Sequence, residues 1–78
     1  MNTSVKHKSA RAADLRFDKN SLHVLLEDGR EISVPLEWFP RLRDATEKQR
    51  KNWRLIGKGI GIHWSELDED ISIEGLLR

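Results

Sequence analysis

The sequence predicts a small α+β domain, in which an antiparallel three-stranded meander is followed by a helical segment, a further short strand and a short C-terminal helix. Three observations carry that expectation. Apolar residues alternate through 13–17, 22–26 and 32–36; Asp28-Gly29 stands between two of those runs; and beyond Pro40 the apolar spacing lengthens to three and four residues. With 78 residues, 37% of them hydrophobic, the chain has material for one domain with a small core.

The opening stretch, MNTSVKHKSARA, has no periodicity and many small polar groups. It predicts a frayed basic arm over 1–12, carrying Lys6, Lys8 and Arg11, ahead of a single domain at 13–78. From there Ala13, Leu15 and Phe17 point one way and Asp14, Arg16 and Asp18 the other, which is the pattern of a half-buried strand. Lys19-Asn20-Ser21 turns the chain. Leu22, Val24 and Leu26 then face inward, with His23, Leu25 and Glu27 outward. Asp28-Gly29 supplies the positive-φ position that a tight hairpin requires. Ile32, Val34 and Leu36 make the inner face of a third strand, and Pro35 marks its edge or its end.

Pro40 suits a first helical turn, where its missing N–H would have no partner anyway. Thr46 with Gln49 three residues on reads as a capping box, so a helix starts or restarts at Glu47. Leu42, Ala45, Gln49 and Trp53 share one helical face, ringed by Arg43, Lys48, Arg50, Lys51 and Arg54. Gly57-Lys58-Gly59 reads as a short hairpin or an irregular glycine corner. Beyond it a fourth strand is expected near 60–64, with Ile62 and Trp64 on one face. Ser72 caps a last turn from Ile73 to Leu77. No repeat and no low-complexity segment interrupts this order.

The composition excludes several kinds of chemistry. Without Cys there is no disulfide scaffold and no thiolate metal site, which fits a reducing cytoplasm. Apolar runs stop at two or three residues, so no membrane-spanning segment is expected. The start lacks the apolar stretch of a signal peptide, and the expected location is the cytoplasm. Gly57-Lys58-Gly59-Ile60-Gly61 fails as a Walker loop because Gly59 follows Lys58, and fails as a dinucleotide fingerprint because Ile62 and Trp64 occupy the required glycine positions. Asp68-Glu69-Asp70 with Ser72 and Glu74 imitates half a calcium loop, but its sixth position is Ile73 and its twelfth does not exist. His7, His23 and His63 are scattered, and His63 near Ser65 and Asp68 is sequence proximity rather than triad geometry. The expectation is therefore no catalytic residue, no cofactor, no metal and no small-molecule substrate.

What the sequence offers instead is recognition. The formal net charge is +1, yet residues 41–58 hold seven basic groups against Asp44 and Glu47, while 17–40 and 65–78 are acidic. Three Trp are heavy usage in 78 residues, and Trp is favoured at interface hot spots as well as in cores. Trp53 reads as core; Trp38 and Trp64 are open between core and interface. Two partner classes follow. A protein partner would be held by Trp38, Pro40, Arg41, Arg43, Arg50, Arg54 and Trp64. The alternative is a nucleic-acid-binding regulator using the basic segment 41–58.

Three stretches together resemble one bacterial family. They are Asp28-Gly29-Arg30 leading into Val34-Pro35-Leu36-Glu37-Trp38-Phe39-Pro40-Arg41-Leu42, then Gln49-Arg50-Lys51-Asn52-Trp53-Arg54-Leu55-Ile56-Gly57, then Gly61-Ile62-His63-Trp64 with Asp68-Glu69-Asp70-Ile71 and Glu74-Gly75-Leu76-Leu77. Over about residues 13–77 the chain is similar to the family of domain of unknown function (DUF) 2442. It departs from the commonest pattern at Thr46-Glu47 and at Ser65, where relatives often carry proline. The resemblance implies a small α+β domain without established catalysis. It also implies pairing with a neighbouring-gene protein of another uncharacterised family (DUF 4160), in cassettes where this family takes the antitoxin role. Some relatives carry a helix-turn-helix domain on the same chain; no such extension is read in these 78 residues. No residue role carries over from the family, and the stretch Pro35 to Leu42 is the interaction segment that the residues themselves single out.

Overall fold

The computed structural model describes residues 10–77, in which six strands form two three-stranded antiparallel sheets. The first sheet has the order β1 (Ala12–Phe17), β2 (Ser21–Leu26), β3 (Glu31–Pro35) and is the expected meander. Its inner rows are Leu15–Val24–Ile32 and Phe17–Leu22–Val34. Both turns form where expected, the second through the positive φ anticipated at Gly29 and the first through Asp18, which the sequence did not mark as a turn residue. The Asp18 carboxylate accepts from the backbone N–H of Asn20 at 2.9 Å and of Ser21 at 2.8 Å. At the hairpin, Gly29 adopts φ +96° and donates to the Leu26 carbonyl at 3.0 Å.

One register detail departs from the simple alternation. Ala13 is exposed and Ala12 buried, the reverse of the pattern started at Ala13. The pairing shifts between Ala12 and Asp14, and an extra residue in one strand turns every side chain before it to the other face. The fold also begins earlier than the expected boundary at 13. Ala10 packs against the core, and Arg11 donates from Nη1 to the carbonyls of Gly57 and Lys58, each at 3.2 Å. The rest of the expected arm lies outside the described residues.

After β3 the chain makes a 3₁₀ turn at Leu36–Trp38 and two short helices, α1 (Pro40–Arg43) and α2 (Glu47–Lys51). Both arms of the capping box are present: Gln49 N–H donates to Thr46 Oγ1 at 3.1 Å, and Thr46 N–H to Gln49 Oε1 at 2.9 Å. The helical face does not run on to Trp53, however. α2 stops at Lys51, and Trp53 opens a strand, β4 (Trp53–Ile56). Within it Trp53 and Leu55 are half-buried while Arg54 and Ile56 are exposed, so the apolar period has already dropped to two.

The second sheet has the order β4, β5 (Gly61–Trp64), β6 (Glu69–Ser72), with the 3₁₀ turn Gly57–Gly59 joining the first two. β5 is the expected fourth strand. β6 is a further short strand that no alternation marks: the acidic segment that fails as a calcium loop pairs as His63–Asp70 and Ile62–Ile71. α3 (Ile73–Leu76) closes the chain, with Ser72 Oγ accepting from Gly75 N–H at 3.2 Å.

The core is shared by both sheets, α1 and α3. Leu22, Val24, Leu26, Leu42, Ile62, Ile73 and Trp64 are its most deeply buried members. Among the described residues no polar or charged residue is buried, so the interior is held by apolar contact rather than by ion pairs. Within the same residues no helix is long and apolar enough to cross a membrane.

Candidate interaction surface

The segment 36–43 is built around two anchors. Leu36 is buried, and its N–H reaches the Asn20 carbonyl at 2.9 Å; Leu42 is fully buried on α1. A tight 3₁₀ turn cannot direct successive side chains to the same side, so with Leu36 inward and Phe39 half-buried, Trp38 is left outside. It is 60% exposed, the highest value among the exposed large apolar residues described. Pro40, exposed at the first position of α1, stands two residues on.

The arginines of this region are fixed from within. Arg41 donates from Nη1 to the Asp68 carbonyl at 2.6 Å, which ties α1 to the turn before β6. Arg43 pairs with Asp44 at 2.9 Å and with Glu37 at 2.9 Å. Those two carboxylates hold the guanidinium even further above its ordinary pKa, Asp44 acting first, and Arg43 in turn lowers the Asp44 carboxyl. Arg50 reaches back from α2, donating from Nε to the Leu42 carbonyl at 2.8 Å and from Nη2 to the Arg43 carbonyl at 2.7 Å. It thereby caps the Arg43 carbonyl and adds a donor to that of Leu42, which also accepts from Ala45 N–H at 3.3 Å. Its guanidinium also lies over the Phe17 ring, 5.6 Å from the centroid.

The predicted partner residues thus divide. Trp38, Pro40, Arg41 and Arg43 lie together on 38–43, and Arg50 is bonded to the same stretch. Arg54 stands apart on β4, opposite His63 in the pairing, and is exposed. Trp64 leaves the surface altogether. It is fully buried because β5 is the central strand of its sheet and its inner face meets the core. Its indole N–H donates to the Arg50 carbonyl at 3.0 Å, and its ring meets Phe17 edge-on with centroids 6.5 Å apart.

Two histidines sit in networks the sequence did not disclose. His23 bonds through Nε2 to Asp18 Oδ2 at 2.6 Å and through Nδ1 to Ser33 Oγ at 2.7 Å. The His23 bond, helped by the amides of Asn20 and Ser21, lowers the Asp18 carboxyl to about 2. The chain of bonds from Asp18 through the His23 ring to Ser33 stitches the first turn to β2 and β3. The only hint in the sequence was register, since His23 and Ser33 face each other across the hairpin. His63 pairs with Asp70 across β5 and β6, not with Ser65 or Asp68. Among the described residues no group of three or more His, Asp or Glu is arranged to hold a metal ion.

Two antiparallel meanders joined by short helices, carrying one outward tryptophan between buried anchors, define the class: a small α+β domain. The chain belongs to the family described as "Protein of unknown function (DUF2442)", whose model matches residues 12–78. It is similar to the crystal structure of a protein of unknown function from Rhodospirillum rubrum ATCC 11170, with 33% sequence identity and a TM-score of 0.76. That match covers 90% of this chain and 87% of the other. None of the curated proteins matches the chain.

Proposed function

We propose that the chain is a non-enzymatic protein-interaction module that acts as the antitoxin-like member of a two-protein pair. The observation that carries this reading is Trp38, 60% exposed on a turn whose backbone is fixed by buried Leu36 on one side and Leu42 on the other. A small domain gains from every large apolar side chain that it buries, and seating this one in a partner would recover about 2 kcal/mol. Arg41 and Arg43 flank it in geometries already held by internal bonds, so little of their freedom remains to be lost on binding. The resemblance to a family found in paired cassettes supplies the antitoxin role, and the absence of Cys favours a cytoplasmic setting.

The basic segment supports a nucleic-acid reading less well. A phosphate would have to compete with Glu37 and Asp44 for Arg43. Co-expression with the product of the neighbouring gene, followed by pull-down, tests the proposal. Capture that survives from about 50 to 200 mM salt and is lost in Trp38→Ala supports it, because apolar burial resists screening. Tight duplex binding by this chain, falling by orders of magnitude over that range and unaffected by Trp38→Ala, overturns it.

A further inference from the structure

A groove of about 560 Å³ lies between the end of β1 and the start of β4, and neither Trp38 nor Pro40 lines it. Its apolar wall is Leu15, Phe17 and Trp53. Around that wall stand the cations Arg16, Lys19, Arg50 and Lys51, with Asp18 and Glu47 as the acids. We propose that this groove is a second docking site, taking an acidic peptide segment of a partner protein. An apolar side chain of the segment sits against Phe17 and Trp53, and a neighbouring carboxylate meets Arg50 between Lys19 and Lys51.

Size and charge both fit that occupant. At about 560 Å³ the groove has the volume of a small-molecule pocket, about 300–1,000 Å³, which is room for one or two side chains of a peptide rather than a long segment. The four cations outnumber the carboxylates Asp18 and Glu47, so the lining stays net positive even with Arg16 paired to Glu31 at 3.4 Å. Lys19 and Lys51 form no ion pair with a carboxylate among the described residues. Arg50 carries the argument furthest. Carbonyls rather than carboxylates hold it, so its position is fixed while its full charge stays uncompensated. Its Nη1 has no acceptor among the described residues. A half-buried guanidinium held in this way has already lost the rotamer freedom that binding usually costs, and it presents a planar fork suited to a carboxylate.

The same geometry disfavours a nucleic-acid strand in the groove. Base stacking needs free ring faces, and with Arg50 over the Phe17 ring and Trp64 in edge contact with it, Trp53 is the ring in the lining left to stack a base. Glu47 and Asp18 would also meet a continuous polyphosphate, whereas a peptide can place its acids one at a time.

The test is a ¹⁵N-resolved NMR titration of the full chain with N-acetyl-Phe-Glu-Glu amide, with N-acetyl-Phe-Lys-Lys amide and oligo-dT as comparison ligands. The expected result is saturable shifts at the Trp53 indole N–H and at the amides of 16–19 and 50–51 with the Glu peptide alone. The double variant Lys19→Glu with Lys51→Glu should weaken that binding roughly tenfold or more, and both positions are exposed, so the spectrum should remain that of a folded chain. Trp38→Ala should leave it unchanged, which separates this groove from the surface proposed above. Absence of shifts at those positions, equal response to the Lys peptide, or stronger saturation by oligo-dT that the double variant abolishes would each overturn the proposal.

Discussion

The indole N–H of Trp64 donates to the main-chain carbonyl of Arg50 at 3.0 Å, and this bond joins the centre of the second sheet to the last turn of α2. Arg50 in turn caps α1, so one buried ring reaches both helices through a single residue. Trp64→Phe removes that donor and, because the indole is fully buried, also leaves a cavity. It should cost about 3 kcal/mol or more, the lost packing added to the bond and the orphaned, partly buried carbonyl. Urea unfolding of the two proteins measures the difference.

Gly59 and Gly29 have nearly the same backbone, φ +97° and +96°, but different surroundings. A Cβ at Gly59 would lie 2.6 Å from the Ala12 carbonyl oxygen, whereas one at Gly29 would meet nothing within 4 Å. Gly29→Ala should therefore cost only the left-handed strain, about 1–2 kcal/mol. Gly59→Ala adds a backbone collision and should exceed it clearly. Equal shifts in melting temperature would contradict this.

Acid stability should depend on Asp18. Its carboxyl is lowered in the folded chain to about 2, first by the His23 bond, so the native state favours the ionised form more than the unfolded chain does. The stabilisation is complete above the ordinary carboxylate range near 4 and is lost as pH falls through about 2. Asp18→Asn should flatten that part of the stability profile. Thermal melts across that range, for both proteins, are the measurement.

Fluorescence should separate the three tryptophans. Trp38 is 60% exposed, Trp64 is buried and Trp53 lies between. Trp38→Phe should remove most of the acrylamide-quenchable emission while changing stability by no more than about 0.5 kcal/mol, as for other exposed positions.

The first sheet was legible because each strand alternates and each turn carries a residue with a local reason to be there. Its bulge was not, since Ala12 and Ala13 are chemically identical and only the pairing chooses between them. The second sheet was half hidden. Trp53 satisfies a helical spacing as well as a strand, and β6 offers one buried side chain, Ile71, among acids. For the surface, composition pointed to tryptophan and arginine, but the division between Trp38 outside and Trp64 inside depends on which strand is central. The fate of Arg50 depends on a contact eight residues back in the chain. These are tertiary facts, and local pattern does not contain them.

Each strand in both sheets pairs only with its neighbours in sequence. The first sheet is complete by Pro35 and the second does not begin until Trp53, so neither needs the other's strands to finish its ladder. Pairing of this kind keeps contacts local and closes short loops early, which favours rapid folding. During synthesis the first hairpin pair can zip while the second is still inside the ribosome. The bonds from Arg11 to the carbonyls of Gly57 and Lys58 are of the other kind, bridging 46 and 47 residues of chain to join the two ribbons.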